Sequence, residues 1–459
     1  MSPAERGTAA PARRGVAETA DGGAAGAARL LATGSRGQAT SLAEHLARHG
    51  PLPACAGADP WELIGEVERA GLTGRGGAAF PTAAKLRAVR NAAAGRAPLV
   101  IANGTEGEPA SGKDRALLAS APHLVLDGAV YAAGLIGAHE AVVIAHRDVA
   151  GAVTAAAAER RNAARGRRPG ADHVRVRVME AAPGFVAGEA SAVVNWVERG
   201  DARPTGRSPR SGGTGPASRP GAPGRRAGRA RRPVLVQNVE TLAHLALIAR
   251  HGAGWFRSAG TPAEPGSMLI TVTGAVRRPG VYEIGIGAPV SELIDRAGGA
   301  CAPLTAFLVG GYFGTWVDAA QAAARPFSAA GLAGLGASPG AGLIAALPGN
   351  LCGLAETARL ARYLAAESAG QCGPCVFGLD AIAGQLGRAA TGPSAELGTV
   401  RRWLGQVTGR GACRHPDGAA RMIGSALDVF AAETAGHARG WCQATSTARL
   451  LPVPGRVRS

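Results

Sequence analysis

An alternation of short apolar strands with helical segments is the feature that most limits the fold of this chain. Residues 98–103, 140–146 and 173–180 have the apolar and β-branched content of buried strands, whereas 122–137 and 149–165 have helical spacing. Parallel strands need crossover connections of this length, so the pattern predicts α/β layers around a largely parallel sheet. Such sheets bind ligands beyond the carboxyl ends of their strands.

The rest of the ordered chain has two other patterns. Hydrophobicity alternates over 268–284 around Gly and Pro turns, and a helix is predicted over 290–297, which indicates a small β-grasp module within 265–345. Helical spacing returns over 350–445 and indicates a compact helical domain that carries most of the cysteines. Together with an α/β domain over 41–260, we expect a multidomain α/β protein.

Three segments have no periodicity that would bury a core. Residues 1–40 are rich in Ala, Gly and Arg, and we expect a disordered tail there, with a second tail over 446–459. Residues 200–232 are rich in Arg, Pro, Gly and Ser, which is typical of a disordered basic loop. No apolar run reaches the roughly 18 residues of a membrane span, so we expect membrane contact to be peripheral at most.

Charge and cysteine content indicate the compartment and the class of partner. The formal net charge is +17, which suits nucleic acid, an anionic membrane or an acidic protein. Much of the basic excess lies in one Pro/Gly/Arg stretch, so we expect no nucleic-acid partner. The seven cysteines are an odd number in a large chain without a signal peptide, which favours a reducing, cytoplasmic location over a disulfide framework.

A glycine-rich turn is the first candidate for ligand binding. Gly74, Gly76 and Gly77 lack Cβ atoms where a backbone would approach an anion, and Pro81 suits the first turn of the next helix. Lys85, one turn into that helix, would add a positive charge beside a phosphate. The chain has two lysines, Lys85 and Lys113, and both lie in candidate loops. Chance clustering of glycines is the competing interpretation.

An acidic loop follows the first predicted strand. It begins at Asn103 and contains Glu106 and Glu108. A carboxylate in a loop at the end of a strand can accept hydrogen bonds from ribose hydroxyls. The alternative is a pair of solvated surface carboxylates.

Three cysteines have the layout of an iron–sulfur site. Cys372 and Cys375 form a Cys-x-x-Cys run, and Cys413 follows after a stretch that suits a helix. Ala369 stands where such a run normally begins with a cysteine, so the cluster is expected to be [3Fe–4S], or [4Fe–4S] with another fourth ligand. Zinc bound by three cysteines and one histidine, and no metal at all, are the alternatives.

Other side chains near these cysteines in sequence are weaker candidates. Ser368 and His415 are the nearest candidates for a fourth ligand. Cys352 or Cys442 could contribute a ligand if the fold brings it close, but both are expected to be buried structural thiols.

These motifs together resemble one family, the flavin-bearing subunit of respiratory complex I and the diaphorase subunits of NAD-linked hydrogenases and formate dehydrogenases. The resemblance rests on the segments 74–82, 103–115, 187–192 and 238–243, followed by the β-grasp and cysteine regions in the same order. It covers roughly residues 60–440.

The resemblance implies a Rossmann-like FMN-binding domain, a β-grasp domain of the SLBB type and a helical bundle with a [4Fe–4S] cluster. In such proteins NADH gives a hydride to the flavin, and electrons leave singly through the cluster. The implied catalytic residues are Glu106, Glu108 and Glu189. The implied cofactor contacts, with Phe80 stacked on adenine, are Gly74, Arg75, Gly76, Gly77, Phe80, Lys85, Asn103 and Asn238.

Departures from the family pattern lie at functional positions. Thr105, Phe185 and Ala190 replace an Asp, a Tyr and a Glu, and an aromatic residue expected near Ala88 is missing. The basic loop 200–232 replaces the segment that would close over NADH. Without this second aromatic ring, the adenine of NADH would stack on Phe80 alone and bury less surface. We therefore expect weakened or altered nicotinamide binding.

Two classes of function follow from these features. The first is an FMN-containing, NADH-linked oxidoreductase that passes electrons to a ferredoxin-like subunit or a membrane-associated acceptor. In a variant of it, a reduced ferredoxin feeds the flavin, as the relation to the C-type flavoprotein subunit of Rnf complexes suggests. The second class is a redox-inactive scaffold with an eroded NADH site. Flavin content distinguishes the two classes.

Overall fold

The computed structural model describes residues 29–31, 39–164, 174–206, 232–392 and 397–454. Its first sheet is fully parallel, with the strand order β3-β2-β1-β4. The strands are β1 (Leu99–Gly104), β2 (Glu140–Ala145), β3 (Arg175–Glu180) and β4 (Val234–Asn238). From β1 the chain runs outward through β2 and β3 and then returns to the other side of β1. The direction of winding therefore changes between β1 and β4.

Helices cover both faces of this sheet, as the strand–helix alternation predicts. On one face, helix α5 (Pro122–Ile136) is almost wholly buried against helix α8 (Val239–Arg257). The two backbones touch at Gly128, where a Cβ atom would lie 1.9 Å from the Leu242 carbonyl oxygen. On the other face, α7 packs on the strands through Val193. The helices are α1 (Leu42–His49), α2 (Pro60–Ala70), α3 (Thr82–Ala93), α4 (Lys113–Ser120), α5 (Pro122–Ile136), α6 (Arg147–Ala164), α7 (Ala190–Arg199) and α8 (Val239–Arg257).

Within the described ranges no single helix is long and apolar enough to cross a membrane. The bent pair α4 and α5 passes that test only when the two are taken together, and they meet at 97°.

A second, mixed sheet has the order β6-β5-β9-β7-β8 and confirms the predicted hairpin-plus-helix unit. Phe307 and Phe327 fill its core under α9. The strands are β5 (Ser267–Gly274), β6 (Gly280–Gly285), β7 (Leu304–Val309), β8 (Thr315–Asp318) and β9 (Leu343–Pro348). The helices are α9 (Val290–Arg296), α10 (Ala319–Ala323) and α11 (Ala329–Ala333).

A helical region follows and packs against β8. The Trp316 N–H donates to Ser425 Oγ at 2.9 Å, and the same buried cluster includes Tyr312 and Cys375. A π-helical turn at Pro374–Leu379 carries the second cysteine of the Cys-x-x-Cys run. The helices are α12 (Gly353–Ala366), α13 (Asp380–Thr391), α14 (Leu397–Val407), α15 (His415–Val429) and α16 (Ala431–Ala438). The domain limits 41–260, 265–345 and 350–445 stay predictions.

Part of the N-terminal segment predicted to be disordered is packed in the core. Leu30 and Leu31 are buried, and the N–H groups of residues 29–31 donate to the Glu283 carboxylate at 2.9, 2.9 and 3.3 Å. A buried carboxylate needs such donors, which explains why this short segment is held. The prediction of a disordered tail over all of 1–40 is therefore wrong for these three residues. Residues 1–28 and 32–38 lie outside the described part of the chain.

The other two segments predicted to lack order are also partly described. In the predicted C-terminal tail, Leu451 is 3% exposed and is therefore packed against the protein. In the basic loop, Asp201 and Arg203 form an ion pair at 2.8 Å. Residues 207–231 and 455–459 lie outside the described part of the chain.

Candidate flavin and iron–sulfur sites

The crevice at the change of winding direction collects most of the predicted ligand-binding residues. Asn103 and Asn238 are register partners at the carboxyl ends of β1 and β4, and Asn238 Nδ2 donates to the Asn103 carbonyl at 3.3 Å. The glycine-rich loop lies directly against this pair, since a Cβ on Gly76 would be 3.4 Å from Asn238 Cβ. Ligands of open α/β sheets bind at this kind of switch point.

The glycine-rich loop is closed at its base and open at its tip. Gly74 N–H donates to the Phe80 carbonyl at 2.9 Å, and Arg75 N–H donates to Thr241 Oγ1 at 2.9 Å. Gly77 has a φ of 100°, which favours glycine. The Phe80 ring is 39% exposed on the rim. The loop can therefore present backbone N–H groups to an anion beside the N-terminus of α3.

The two cations of this loop have different surroundings. Lys85 Nζ donates to the Val236 carbonyl of β4, and burial lowers the pKa of Lys85 to about 8. The Arg75 guanidinium is buried and donates to Thr73 Oγ1 at 2.8 Å and to the Ser267 carbonyl at 3.2 Å. Both side chains are therefore hydrogen-bonded within the protein, Lys85 to strand β4 and Arg75 to Thr73 and Ser267.

A buried ionic network lies under the crevice. Lys113 Nζ is 2.7 Å from Asp114 Oδ1 and 2.8 Å from Glu240 Oε2. Asn238 Nδ2 donates to Asp114 Oδ2 at 2.7 Å. Burial alone would lower the pKa of Lys113, but Asp114 and Glu240 outweigh it and raise that pKa. Lys113 therefore stays charged and fixes the position of Asn238.

The two glutamates of the acidic loop have different environments. Glu106 accepts from Ser111 Oγ at 2.8 Å, from Asp114 N–H at 2.9 Å and from Arg115 N–H at 3.1 Å, so it caps the N-terminus of α4. Glu108 accepts from Tyr312 N–H at 2.7 Å, and burial raises the pKa of Glu108 to about 7. Glu108 is therefore the carboxyl group that can change protonation near neutral pH.

The segment around Glu189 lies beside the acidic loop. Asn103 Nδ2 donates to the Gly188 carbonyl at 3.0 Å, and a Cβ on Gly107 would be 2.5 Å from the Phe185 carbonyl oxygen. The Glu189 carboxylate itself caps α7, with the Ser191 N–H at 2.8 Å. Glu189 is therefore near the crevice but bonded to its own helix.

Gln237 is a candidate that sequence reasoning missed. Its side chain is 5% exposed at the carboxyl end of β4, and no partner for its Nε2 lies among the described residues. A buried amide donor without a partner is costly unless a ligand supplies the acceptor. The sequence signal for Gln237 was its position directly before Asn238, a predicted cofactor contact. The glycine loop and this donor together fit a phosphorylated, polar cofactor such as FMN.

The three predicted cluster cysteines lie together in the helical region. Cys375 N–H donates to the Cys372 carbonyl at 3.2 Å, and Ala412 N–H lies 3.5 Å from Cys372 Sγ. Burial, with Cys372 and Cys413 close by, raises the pKa of Cys375 to about 12. Thiolates in such surroundings need positive charge, which an iron–sulfur cluster supplies.

The candidates for the fourth ligand differ in their contacts. Ser368 hydrogen-bonds the Cys375 thiol. His415 is buried with Nε2 2.7 Å from the Leu364 carbonyl, and no partner for its Nδ1 lies among the described residues. Ala369 lines a cavity of about 250 Å³ together with Gly184 and Ala187 of the flavin side.

An aromatic cluster lies between the two sites. The Phe185 ring is 4.7 Å from Phe313 and 5.9 Å from His415, centroid to centroid. The Phe185 N–H also donates to the Glu367 carboxylate at 2.8 Å, two residues before Ala369. The flavin-side loop and the cysteine region are therefore in direct contact.

Family models match three parts of the chain. The Nuo51 FMN-binding domain matches residues 67–247, the SLBB domain matches 269–306, and the NADH-ubiquinone oxidoreductase-F iron-sulfur binding region matches 355–437. The NADH-quinone oxidoreductase F-type subunit 2 of Rhizobium meliloti is 30% identical over 390 residues, which are 82% of this chain and 89% of that protein. The chain belongs to the family of NADH-quinone oxidoreductase F subunits. The family match confirms the predicted resemblance, and the FMN-binding and iron–sulfur regions agree with the two sites.

Other similar proteins agree with this family. The NADH-quinone oxidoreductase F subunit of Mycobacterium tuberculosis is 30% identical, and the alignment covers 83% of this chain and 85% of that protein. A crystal structure of NAD+-reducing [NiFe]-hydrogenase in the H2-reduced state has 30% identity and a TM-score of 0.72. That match covers 84% of this chain but 65% of the hydrogenase chain, so the chain spans about two thirds of that protein. These relatives are subunits of larger complexes.

Proposed function

We propose that this chain is an FMN-dependent, NADH-linked oxidoreductase subunit that passes electrons through an iron–sulfur cluster to a second protein. The observation that carries the proposal is the crevice between β1 and β4, with its glycine-rich loop, in contact with the cysteine region through Phe185 and Glu367. When bound there, a flavin accepts electrons in pairs as hydride and releases them singly. The family membership of the chain supports the same function.

The residues that would hold FMN have separate tasks. The loop at Gly74, Gly76 and Gly77 offers backbone N–H groups to the phosphate, and Lys85 with the α3 N-terminus adds positive charge. Asn103, Asn238 and Gln237 lie at the strand ends, where they offer amide groups to the polar parts of the cofactor. Arg75 contributes its backbone as part of the loop, because its guanidinium is hydrogen-bonded to Thr73 Oγ1 and to the Ser267 carbonyl.

The three glutamates also divide their tasks. We assign the protonatable group beside the crevice to Glu108, because its pKa lies near 7. Glu106 and Glu189 hold the acidic loop and the 185–189 segment in place through their helix caps. The catalytic roles expected for Glu106 and Glu189 from sequence thus become positioning roles in this proposal.

The cluster site would use Cys372, Cys375 and Cys413 as its thiolate ligands. Ser368 is the preferred fourth ligand, because it already contacts the Cys375 thiol. Phe377 is 76% exposed two residues after Cys375, and an exposed aromatic ring beside the exit point of electrons suits contact with a partner. We propose that this partner is a ferredoxin-like subunit of a cytoplasmic or peripherally membrane-bound complex.

Anaerobic reconstitution with FMN, iron and sulfide, followed by stopped-flow reduction, tests the proposal. We expect about one flavin per chain, bleached by NADH. Gly76→Val should lose the flavin, because its Cβ would already touch Asn238 Cβ at 3.4 Å and its two methyl groups would crowd the loop, whereas the control Gly254→Ala meets open space. Flavin reduced by ferredoxin but not by NADH would make the donor assignment wrong. Protein that binds no flavin would overturn the whole proposal and favour a scaffold.

A further inference from the structure

We propose that Cys352, His437 and Cys442 form a zinc site that is separate from the iron–sulfur cysteines, with Glu433 as the nearest candidate for a fourth ligand. Across the described residues, the ligand atoms of these two cysteines and the histidine lie within 4.8 Å of one another. Cys352 Sγ is 3.3 Å from His437 Nε2 and 3.3 Å from Glu433 Oε2. The expectation of two buried structural thiols is wrong, because Cys442 is exposed and Cys352 is half-buried.

Three different elements deliver these side chains to one point. Cys352 is the N-cap of α12, where its sulfur accepts from the Ala355 N–H at 3.3 Å. Glu433 and His437 are one turn apart on α16, so their side chains lie on the same face. Gly440, with a φ of 82°, ends that helix and turns the chain toward Cys442. The site is therefore built by tertiary structure and not by one local run.

Two cysteines and a histidine are among the ligands that closed structural zinc sites use. Zinc prefers thiolate, imidazole and carboxylate ligands in a tetrahedron. With bonds of about 2.0–2.3 Å, the edges of that tetrahedron are about 3.3–3.8 Å. The observed S···N and S···O separations of 3.3 Å lie at the short end of this range, so a bound ion would move the ligand atoms slightly apart. Cys352, His437 and Cys442 supply three ligands, and Glu433 would complete the set by moving closer to the other two while staying beside Cys352 Sγ.

The charges of the site also favour a divalent cation. Zinc would balance two thiolates and a carboxylate, and it would release their protons on binding. The Leu354 N–H donates to Glu433 Oε2 at 3.2 Å, and this hydrogen bond holds the carboxylate beside Cys352 Sγ.

The site would anchor the C-terminal segment 441–454 to the rest of the helical region. Thr445 and Ser446 donate to the Asn350 carbonyl at 3.2 and 3.1 Å, and the Leu451 N–H donates to Glu356 at 2.9 Å. A zinc ion at Cys442 would fix the beginning of this segment at the N-terminus of α12. The proposed task is structural and does not depend on the reaction at the flavin.

Metal analysis of the full chain, carrying a tag without histidine and purified from medium supplemented with zinc and iron, tests the site. We expect about one zinc per chain that survives dialysis. Cys442→Ser and His437→Ala should lose it with the iron content unchanged. Cys301→Ser, at another exposed cysteine, is the matched control and should keep the zinc. Cys375→Ser should lose iron and keep the zinc, which separates the two metal sites.

Hydrogen exchange provides a second readout that does not require any variant to fold. Removal of zinc by a chelator should speed amide hydrogen exchange at residues 445–452 at least about tenfold. The reason is that zinc at Cys442 would no longer hold the beginning of this segment in place. Zinc below about 0.1 per chain would overturn the proposal. Zinc retained by Cys442→Ser would also overturn it, as would a Cys352–Cys442 disulfide in protein purified under reducing conditions.

Discussion

The Phe185 N–H donates to the Glu367 carboxylate across 2.8 Å and thereby ties the flavin-side loop to the end of α12, just before the cysteine run. We expect Glu367→Ala to slow electron passage from flavin to cluster, because the two sites lose a charge-assisted hydrogen bond of about 1.5–3 kcal/mol. Glu367→Gln keeps an acceptor and should have a smaller effect. Stopped-flow absorption combined with rapid-freeze EPR measures the flavin and cluster steps separately. Equal slowing of both steps would contradict this role.

Replacing Ala369 by cysteine should complete the ligand set of the cluster. Ala369 lines the cavity of about 250 Å³ beside Ser368, so a thiol has room there. We expect Ala369→Cys to convert a three-iron or unstable cluster into a stable four-iron cluster. EPR of the oxidised and reduced forms, with iron quantified per chain, checks this. Unchanged spectra and iron content would show that another residue already serves as the fourth ligand.

Glu108 should make stability depend on pH. Its pKa is raised from 4.5 to about 7, so the folded state holds a proton that the unfolded state has lost between these values. Stability is therefore expected to fall as pH rises through that window, by at most about 3 kcal/mol. Glu108→Gln removes the titration and should flatten the change. Denaturant midpoints at pH 5, 6, 7 and 8 measure it, and parallel curves for both proteins would contradict the assignment.

Lys113→Met should be strongly destabilising. The substitution leaves Asp114 and Glu240 buried without their shared cation, at a cost of about 3–5 kcal/mol. The control Arg296→Met breaks an exposed pair with Glu292 and should change stability by about 0.5 kcal/mol at most. Thermal unfolding of both variants measures the difference. Similar melting temperatures would mean that water reaches the Lys113 network.

Two glycine substitutions should act in opposite directions. Gly128→Ala places a methyl group 1.9 Å from the Leu242 carbonyl oxygen, so α5 and α8 must separate at a cost of about 1–3 kcal/mol or more. Gly151→Ala, in α6, meets open space and should stabilise by roughly 0.5–1 kcal/mol because the unfolded chain loses freedom. Differential scanning calorimetry of the two variants checks the sign of each change.

Features encoded by local pattern could be predicted from the sequence. The period of hydrophobicity gives the parallel sheet, the β5–β6 hairpin and the helices around the cysteines, because each depends on neighbours in the chain. The glycine-rich loop and the acidic loop meet at the sheet edge because parallel strands share one carboxyl end.

Features that depend on distant partners could not be predicted. Leu30 is buried because its N–H reaches Glu283, 253 residues away, so composition alone assigned it to a tail. Glu106 and Glu108 look alike in the sequence, and one contact that distinguishes them is the Tyr312 N–H, 204 residues from Glu108. Cys352 and His437 likewise come together across 85 residues.

The Tyr312 hydroxyl donates to the Pro452 carbonyl at 2.5 Å, and the backbone of the same tyrosine holds Glu108. This contact joins residues that are 140 positions apart, so Tyr312 is held from both sides only when the C-terminal segment has packed. During synthesis, the helical region must be complete before Tyr312 can make both contacts, one with Glu108 and one with Pro452. A chain that ends before Pro452 would therefore lack one of the two contacts that hold Tyr312, the residue whose backbone binds Glu108 beside the crevice.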